Sequence, residues 1–142
     1  MVILGIGNDL RGDDGLGPEI IGKISKKLVR EDVTLINGGT VPENFTGSIK
    51  KVKPSHIILV DAVDFKKAPG YMKVVEKEKI SNYNLSTHAM PISFLINYLE
   101  ESTNSKIILI GIQPKKMDLN ENMSLEVEES LLYLTDLFVR LL

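Results

Sequence analysis

Two carboxylates stand side by side, Asp13 and Asp14, at the end of the glycine-rich stretch Gly5-Ile6-Gly7-Asn8-Asp9-Leu10-Arg11-Gly12-Asp13-Asp14-Gly15-Leu16-Gly17. Two more, Asp61 and Asp64, come after the apolar run Ile57-Ile58-Leu59-Val60, and His88 lies just ahead of a helical pattern that begins past Pro91. Carboxylates and an imidazole are groups that exchange protons or hold borderline divalent cations. They are poor partners for a phosphate, which prefers helix N-terminal amides and basic groups. The stretch 5–17 contains a Gly-x-Gly, but a dinucleotide fingerprint needs a third glycine three residues after the second, where Leu10 stands. No Gly-Lys-Ser/Thr of a Walker loop occurs. Cation or proton chemistry is the better reading of the turn.

Each candidate also has a plain structural reading. Asp14 can place negative charge near a helix N-terminus, worth about 0.3–1 kcal/mol. Asp61 can cap a turn, and His88 can simply lead into a helix. His56 precedes a strand at the opposite end and reads as surface. Lysines 50, 51, 53, 66 and 67 read as solvated. The combination of Asp14, Asp61 and His88 is what favours a site.

The elements that must position these residues follow from periodicity. Residues 1–6 read as a buried first strand. A helix over 18–28 carries Ile20, Ile21, Ile24 and Leu28 at helical spacing. A second strand covers 33–36, ended by Asn37-Gly38-Gly39-Thr40, and a short helical piece covers 42–52. The uninterrupted run 57–60 suits a central strand buried on both faces. The turn Ala68-Pro69-Gly70 precedes a strand at 71–75. Its connection from Val60 is too short for a crossover helix, which makes it antiparallel and places it at an edge. After it, charged residues run to Lys79. A helix with Ile92, Leu95, Ile96 and Leu99 on one face, a strand over 107–112, a loop over 120–124 and a helix over 125–142 complete the chain. The last helix presents Val127, Leu131, Leu134, Leu137, Phe138 and Leu141 as its apolar stripe.

Alternating strands and helices predict an α/β fold: a three-layer α/β/α sandwich with a mostly parallel five-stranded sheet and one antiparallel edge strand. Ligands of such sheets bind outside the carboxyl ends of the parallel strands. That rim should gather Asn8, Asp13 and Asp14 after the first strand, then Gly38, Gly39, Thr40 and Glu43 after the second. Asp61 and Asp64 follow the third, and Gln113 the last; the segment returning from the antiparallel strand can bring His88. Consecutive side chains leave the backbone in different directions, so Asp13 and Asp14 cannot easily share one role. Asp13 should accept backbone amides, as an N-cap residue does, or brace the loop if the helix starts later.

Composition narrows the function classes. Seventeen basic against nineteen acidic residues give a formal charge of -2, with no basic block to serve a nucleic acid. The absence of cysteine removes disulfides, thiolate metal sites and a cysteine nucleophile together. No Gly-x-Ser-x-Gly elbow supports a serine nucleophile. No signal peptide or membrane-length apolar run is read, so a cytoplasmic protein is expected. At 142 residues the chain has the length of one domain.

The sequence resembles the hydrogenase maturation endopeptidases, which trim the C-terminus of the nickel–iron hydrogenase large-subunit precursor. The likeness runs over nearly the whole chain, so residues 1–142 read as one such protease domain. It is carried by Gly5-x-Gly7-Asn8, Gly12-Asp13-Asp14-Gly15-x-Gly17-Pro18, Asn37-Gly38-Gly39-Thr40, Val60-Asp61-Ala62, Thr87-His88 and Gly111-Ile112-Gln113-Pro114. Pro42-Glu43-Asn44, His88-x-Met90-Pro91 and Gly111-Ile112-Gln113-Pro114 are the more restrictive motifs and make it similar to the hydrogenase-3-like branch. The resemblance implies that Asp14, Asp61 and His88 form the metal-binding and catalytic set; many relatives carry Glu at the first position. The loop 115–122 is polar and less typical of the family. The resemblance further implies nickel as the metal, borne by the substrate, at a site able to accept other divalent ions. The implied partner is the large-subunit precursor, with no nucleic acid and no membrane, and the protein is expected to act as a monomer. Peptide cleavage then has two routes, a metal-activated water or an aspartic-type hydrolysis with Asp61 as base. The alternatives are a non-catalytic nickel-checking protein and a generic peptidase or amidase on the same scaffold.

Overall fold

A computed structural model of the chain describes residues 1–85 and 90–142, with the backbone alone at 84 and 85. Strand β1 (Val2–Ile6) is buried at every position. It is followed by a 3-10 turn over Gly12–Gly15 and helix α1 (Leu16–Lys27). The helix begins two residues ahead of Pro18, which therefore lies in the first turn, where its missing N–H breaks no bond. Then come β2 (Thr34–Gly39), a 3-10 turn over Pro42–Phe45, α2 (Thr46–Val52), β3 (His56–Asp64) and β4 (Met72–Val75). A 3-10 turn over Lys77–Asn82 and the two-residue β5 (Asn84–Leu85) precede α3 (Ile92–Thr103), β6 (Lys106–Ile112) and α4 (Leu125–Leu141).

The main sheet runs β2-β1-β3-β6-β4. Its first three pairings are parallel, and β4 is the antiparallel edge strand, paired to β6. β5 adds to the far end of β3 at Val63 and Asp64. Alternation along the strands splits the core into two layers. Val2, Leu4, Leu59 and Leu109 pack with Ile49 of α2 and with Ile92, Leu95, Ile96 and Leu99 of α3. Ile3, Val60 and Ile110 pack with Ile20, Ile21 and Ile24 of α1 and with Val127, Leu131, Leu134 and Phe138 of α4. The three-layer architecture is the one periodicity predicts.

Four details differ from expectation. β2 continues through Asn37, Gly38 and Gly39, because Gly39 pairs with Ile6 across an irregularity in the register. β3 runs on through Asp61 to Asp64, because β6 stays alongside as far as Ala62 opposite Ile112 and β5 takes the remainder. The charged run to Lys79 is the first part of a 3-10 turn, held down by the buried Ile80. Leu141 is 73% exposed, while Leu142 beyond the helix end packs against the core instead.

Candidate active site

The strand order fixes where a cleft can form. The chain leaves β1 through α1 on one face to reach β2, then crosses through α2 on the other face to reach β3, on the far side of β1. Connections that diverge to opposite faces leave a crevice between the carboxyl ends of β1 and β3. Asp14 belongs to the turn after β1, and Asp61 lies near the end of β3 itself. The two carboxylates thus flank the one crevice this topology defines. His88, the third member of the expected set, lies outside the described residues. Among the described residues no group of three His, Asp or Glu side chains is placed to hold a metal ion.

The turn that delivers Asp14 depends on close backbone approach. Gly7 has φ +142°, and a Cβ there would collide with the carbonyl oxygen of Asp14. Glycine lets the chain double back so that 3-10 turn and strand end touch. Asn8 closes the turn, its Oδ1 accepting the Leu10 N–H at 2.9 Å. The Asn8 N–H in turn donates to Asp14 Oδ2 at 3.2 Å. Asp14 Oδ1 is buried and has no hydrogen-bond partner. A carboxylate oxygen left so costs stability, of order 1–3 kcal/mol, which a cation or proton could offset. An oxygen so placed can accept a cation or a proton. Asp61 is fully buried, and its Oδ1 accepts the N–H of Ala62 at 2.8 Å.

Asp13 is spent differently, as its divergence from Asp14 predicts. It is fully buried. Its Oδ2 accepts the N–H groups of Lys115 at 2.7 Å and Lys116 at 3.2 Å, and the Ser124 hydroxyl at 2.8 Å. Oδ1 accepts the Ser124 N–H at 2.7 Å. The N-cap of α1 is Gly15, so Asp13 braces a loop and caps no helix of its own. Ser124 is itself the N-cap of α4. One carboxylate therefore ties the site turn to the loop 115–124 and to the start of the last helix. Asp13→Asn puts an NH2 group where donors converge on one oxygen. It should lower unfolding free energy by roughly 2–4 kcal/mol, on the scale of lost charge-assisted bonds. Urea denaturation of the two proteins measures this directly.

Gln113 and Asp64, expected at the rim, are structural. Gln113 Oε1 accepts the N–H groups of Phe65 at 2.6 Å and Lys67 at 3.3 Å. Its Nε2 donates to Asp64 Oδ1 at 3.2 Å and to the Pro114 carbonyl at 3.3 Å. The Lys66 amide, then the Gln113 side chain, hold the Asp64 carboxyl below its ordinary pKa. These bonds pin the ends of β3 and β6 together. Glu43, also expected at the rim, has a buried Oε2 without a partner. Sequence placed it in Pro42-Glu43-Asn44 but gave it no role; only the fold reveals that this oxygen is unpaired.

Known proteins share this fold. A hydrogenase maturation protease family model matches residues 18–140, a span that includes Asp61 and begins just after Asp14. The hydrogenase 3 maturation protease of Escherichia coli K12 is 34% identical over 114 residues, covering 80% of this chain and 72% of that protein. A candidate hydrogenase maturation protease of Methanocaldococcus jannaschii is 40% identical over 125 residues, 83% of this chain and 74% of that one. The crystal structure of a [NiFe] hydrogenase maturation protease, HycI, from Thermococcus kodakarensis superposes with a TM-score of 0.90 at 34% identity, covering 98% of this chain and 89% of that one. Fold and relatives together define the class, a peptidase on a three-layer α/β/α scaffold. The chain belongs to the hydrogenase maturation protease family. No helix among the described residues is long and apolar enough to cross a membrane.

Proposed function

We propose that this protein is the endopeptidase that removes the C-terminal extension from a nickel-loaded [NiFe]-hydrogenase large-subunit precursor. The observation that carries the reading is the buried, unpartnered Asp14 Oδ1 at the crevice between β1 and β3, in a chain of this family. The nickel is part of the substrate. Asp14, Asp61 and, from the family resemblance, His88 take positions on it, which makes recognition of a loaded precursor and commitment to cleavage one event. A set of two carboxylates and one imidazole lacks the four-ligand closure of a tight structural site. The free protein therefore has little affinity of its own for the ion and no means of cutting early.

Hydrolysis needs a water to attack the scissile carbonyl carbon, a base to take the water's proton, and a proton for the departing amine. Asp61, buried beside the crevice, is suited to be that base and then to return the proton. This makes the chemistry aspartic in type and its recognition metal-dependent. We place the protein in the cytoplasm, acting as a monomer on its precursor. The test is mass spectrometry of a nickel-loaded precursor incubated with this protein. Loss of a single C-terminal peptide supports the reading. An intact precursor that co-purifies with the protein would favour a non-catalytic checking role.

A further inference from the structure

A second unpaired carboxylate oxygen, that of Glu43, stands on the same edge of the sheet. Glu43 sits in the 3-10 turn after β2, and the first turns of α3 reach the same edge, because α3 runs back from it to the start of β6. Between them lies a groove of about 200 Å³ lined by Glu43, Thr46, Met90, Phe94, Leu95 and Tyr98. Helix α3 already buries Ile92, Leu95, Ile96 and Leu99, yet Phe94 is 65% and Tyr98 44% exposed. Spaced four apart, these aromatics form a second apolar stripe on the helix, turned toward α2 and left largely uncovered by the described residues. Glu43 lines the same groove, and its Oε2 is buried and unpartnered. Lys50, on the neighbouring helix α2, reaches the rim of the groove but is tied to Tyr98: its Nζ donates to Tyr98 Oη at 2.7 Å and lies 5.2 Å from that ring's centre.

An apolar groove with one unpaired carboxylate selects its occupant by chemistry. The aromatics and Met90 favour an apolar side chain. The orphaned oxygen favours a charged donor, since a charge-assisted bond relieves the buried charge more than a neutral one does. An acidic neighbour would be repelled. We infer that this groove is a subsite for the precursor polypeptide, holding an apolar residue followed by a lysine or arginine. The inference rests on the protease reading above and adds a determinant of which precursor is accepted. Glu43 touches the substrate away from the reacting bond and acts on binding.

Two measurements test it. Isotope-labelled protein is titrated, by NMR, with the capped hexapeptides Gly-Gly-Leu-Arg-Gly-Gly and Gly-Gly-Leu-Glu-Gly-Gly. The first should shift the amides of Glu43, Thr46, Phe94 and Tyr98; the second should not. Glu43→Gln and Phe94→Ala should each weaken the first peptide's binding by about tenfold, whereas Glu129→Gln, on α4 across the sheet, should not. With the nickel-loaded precursor, Glu43→Gln should raise KM by a similar factor and change kcat by less than about twofold. Equal shifts from both peptides, shifts confined to other surfaces, or an unchanged KM would overturn the subsite. Selective peptide binding by a protein that never cuts its precursor would instead sink the protease reading and leave the subsite standing.

Discussion

Asp14→Asn should abolish precursor cleavage, by on the order of 10²–10⁴-fold, and leave the melting temperature unchanged or raised. The loss follows because an amide oxygen is a weaker ligand than a carboxylate and carries no charge toward a cation. The stability half of the prediction is the more diagnostic one. Asp14 Oδ1 is buried with nothing to bond it, so the folded state bears an uncompensated polar atom. Neutralising the group reduces that penalty. The amide oxygen of Asn can still accept the Asn8 N–H that Oδ2 accepts now. A residue kept for stability would behave oppositely, as Asp13→Asn should one position away. Paired activity and melting curves for the two variants check the division of labour, and a destabilised, active Asp14→Asn would show the roles exchanged.

Gly17→Ala should be among the most damaging single substitutions in the chain. Here α1 packs backbone to backbone on β1: a Cβ on Gly17 would collide with the Ile6 carbonyl oxygen and nitrogen. Facing it, a Cβ on Gly5 would meet the Gly17 carbonyl. These are main-chain atoms, of Ile6 held to Gly39 of β2 and of Gly17 within α1, so neither can move aside cheaply. Overpacking alone costs about 1–3 kcal/mol, and a clash with backbone should exceed it. A drop of more than about 3 kcal/mol would lower the melting temperature by roughly 10 °C in a domain of this size. The comparison is Gly22→Ala in the same helix. Nothing lies within 4 Å of a Cβ there, so the variant should gain about 0.5–1 kcal/mol. Thermal melts of both variants separate the packing effect from helix propensity. Similar shifts in the two would show that the α1–β1 approach is not constrained as described.

The layers, the strand order's parallel character and the antiparallel edge were legible in the sequence because each rests on local periodicity. Ile20, Ile21 and Ile24, or Ile92, Leu95, Ile96 and Leu99, announce a buried helix face without reference to anything distant. Strand ends were less legible. Asp61 to Asp64 break an apolar run, so the third strand read as ending at Val60; β6 and β5 extend it by supplying partners that sequence order does not show. The site was legible in part. Asp14 follows β1 as the strand-end argument expected, Asp61 lies within β3, three residues before its end, and His88 lies outside the described residues. Which carboxylates are already spent was not legible. Asp13 is committed to Lys115 and Ser124, 102 and 111 residues away, and Asp64 to Gln113, 49 residues away. Such long-range pairings decide whether an acidic side chain is structure or chemistry, and no local pattern encodes them.

In the proposed function, the unpartnered Asp14 Oδ1 meets a cation that the substrate brings. The direct measurement gives this protein equal amounts of nickel-loaded and nickel-free large-subunit precursor, with chelator present to remove free ions, and follows the C-terminus of each by mass spectrometry. The loaded precursor should be shortened and the nickel-free one left intact. Equal cutting of both would contradict the account and leave a peptidase that works without sensing the metal.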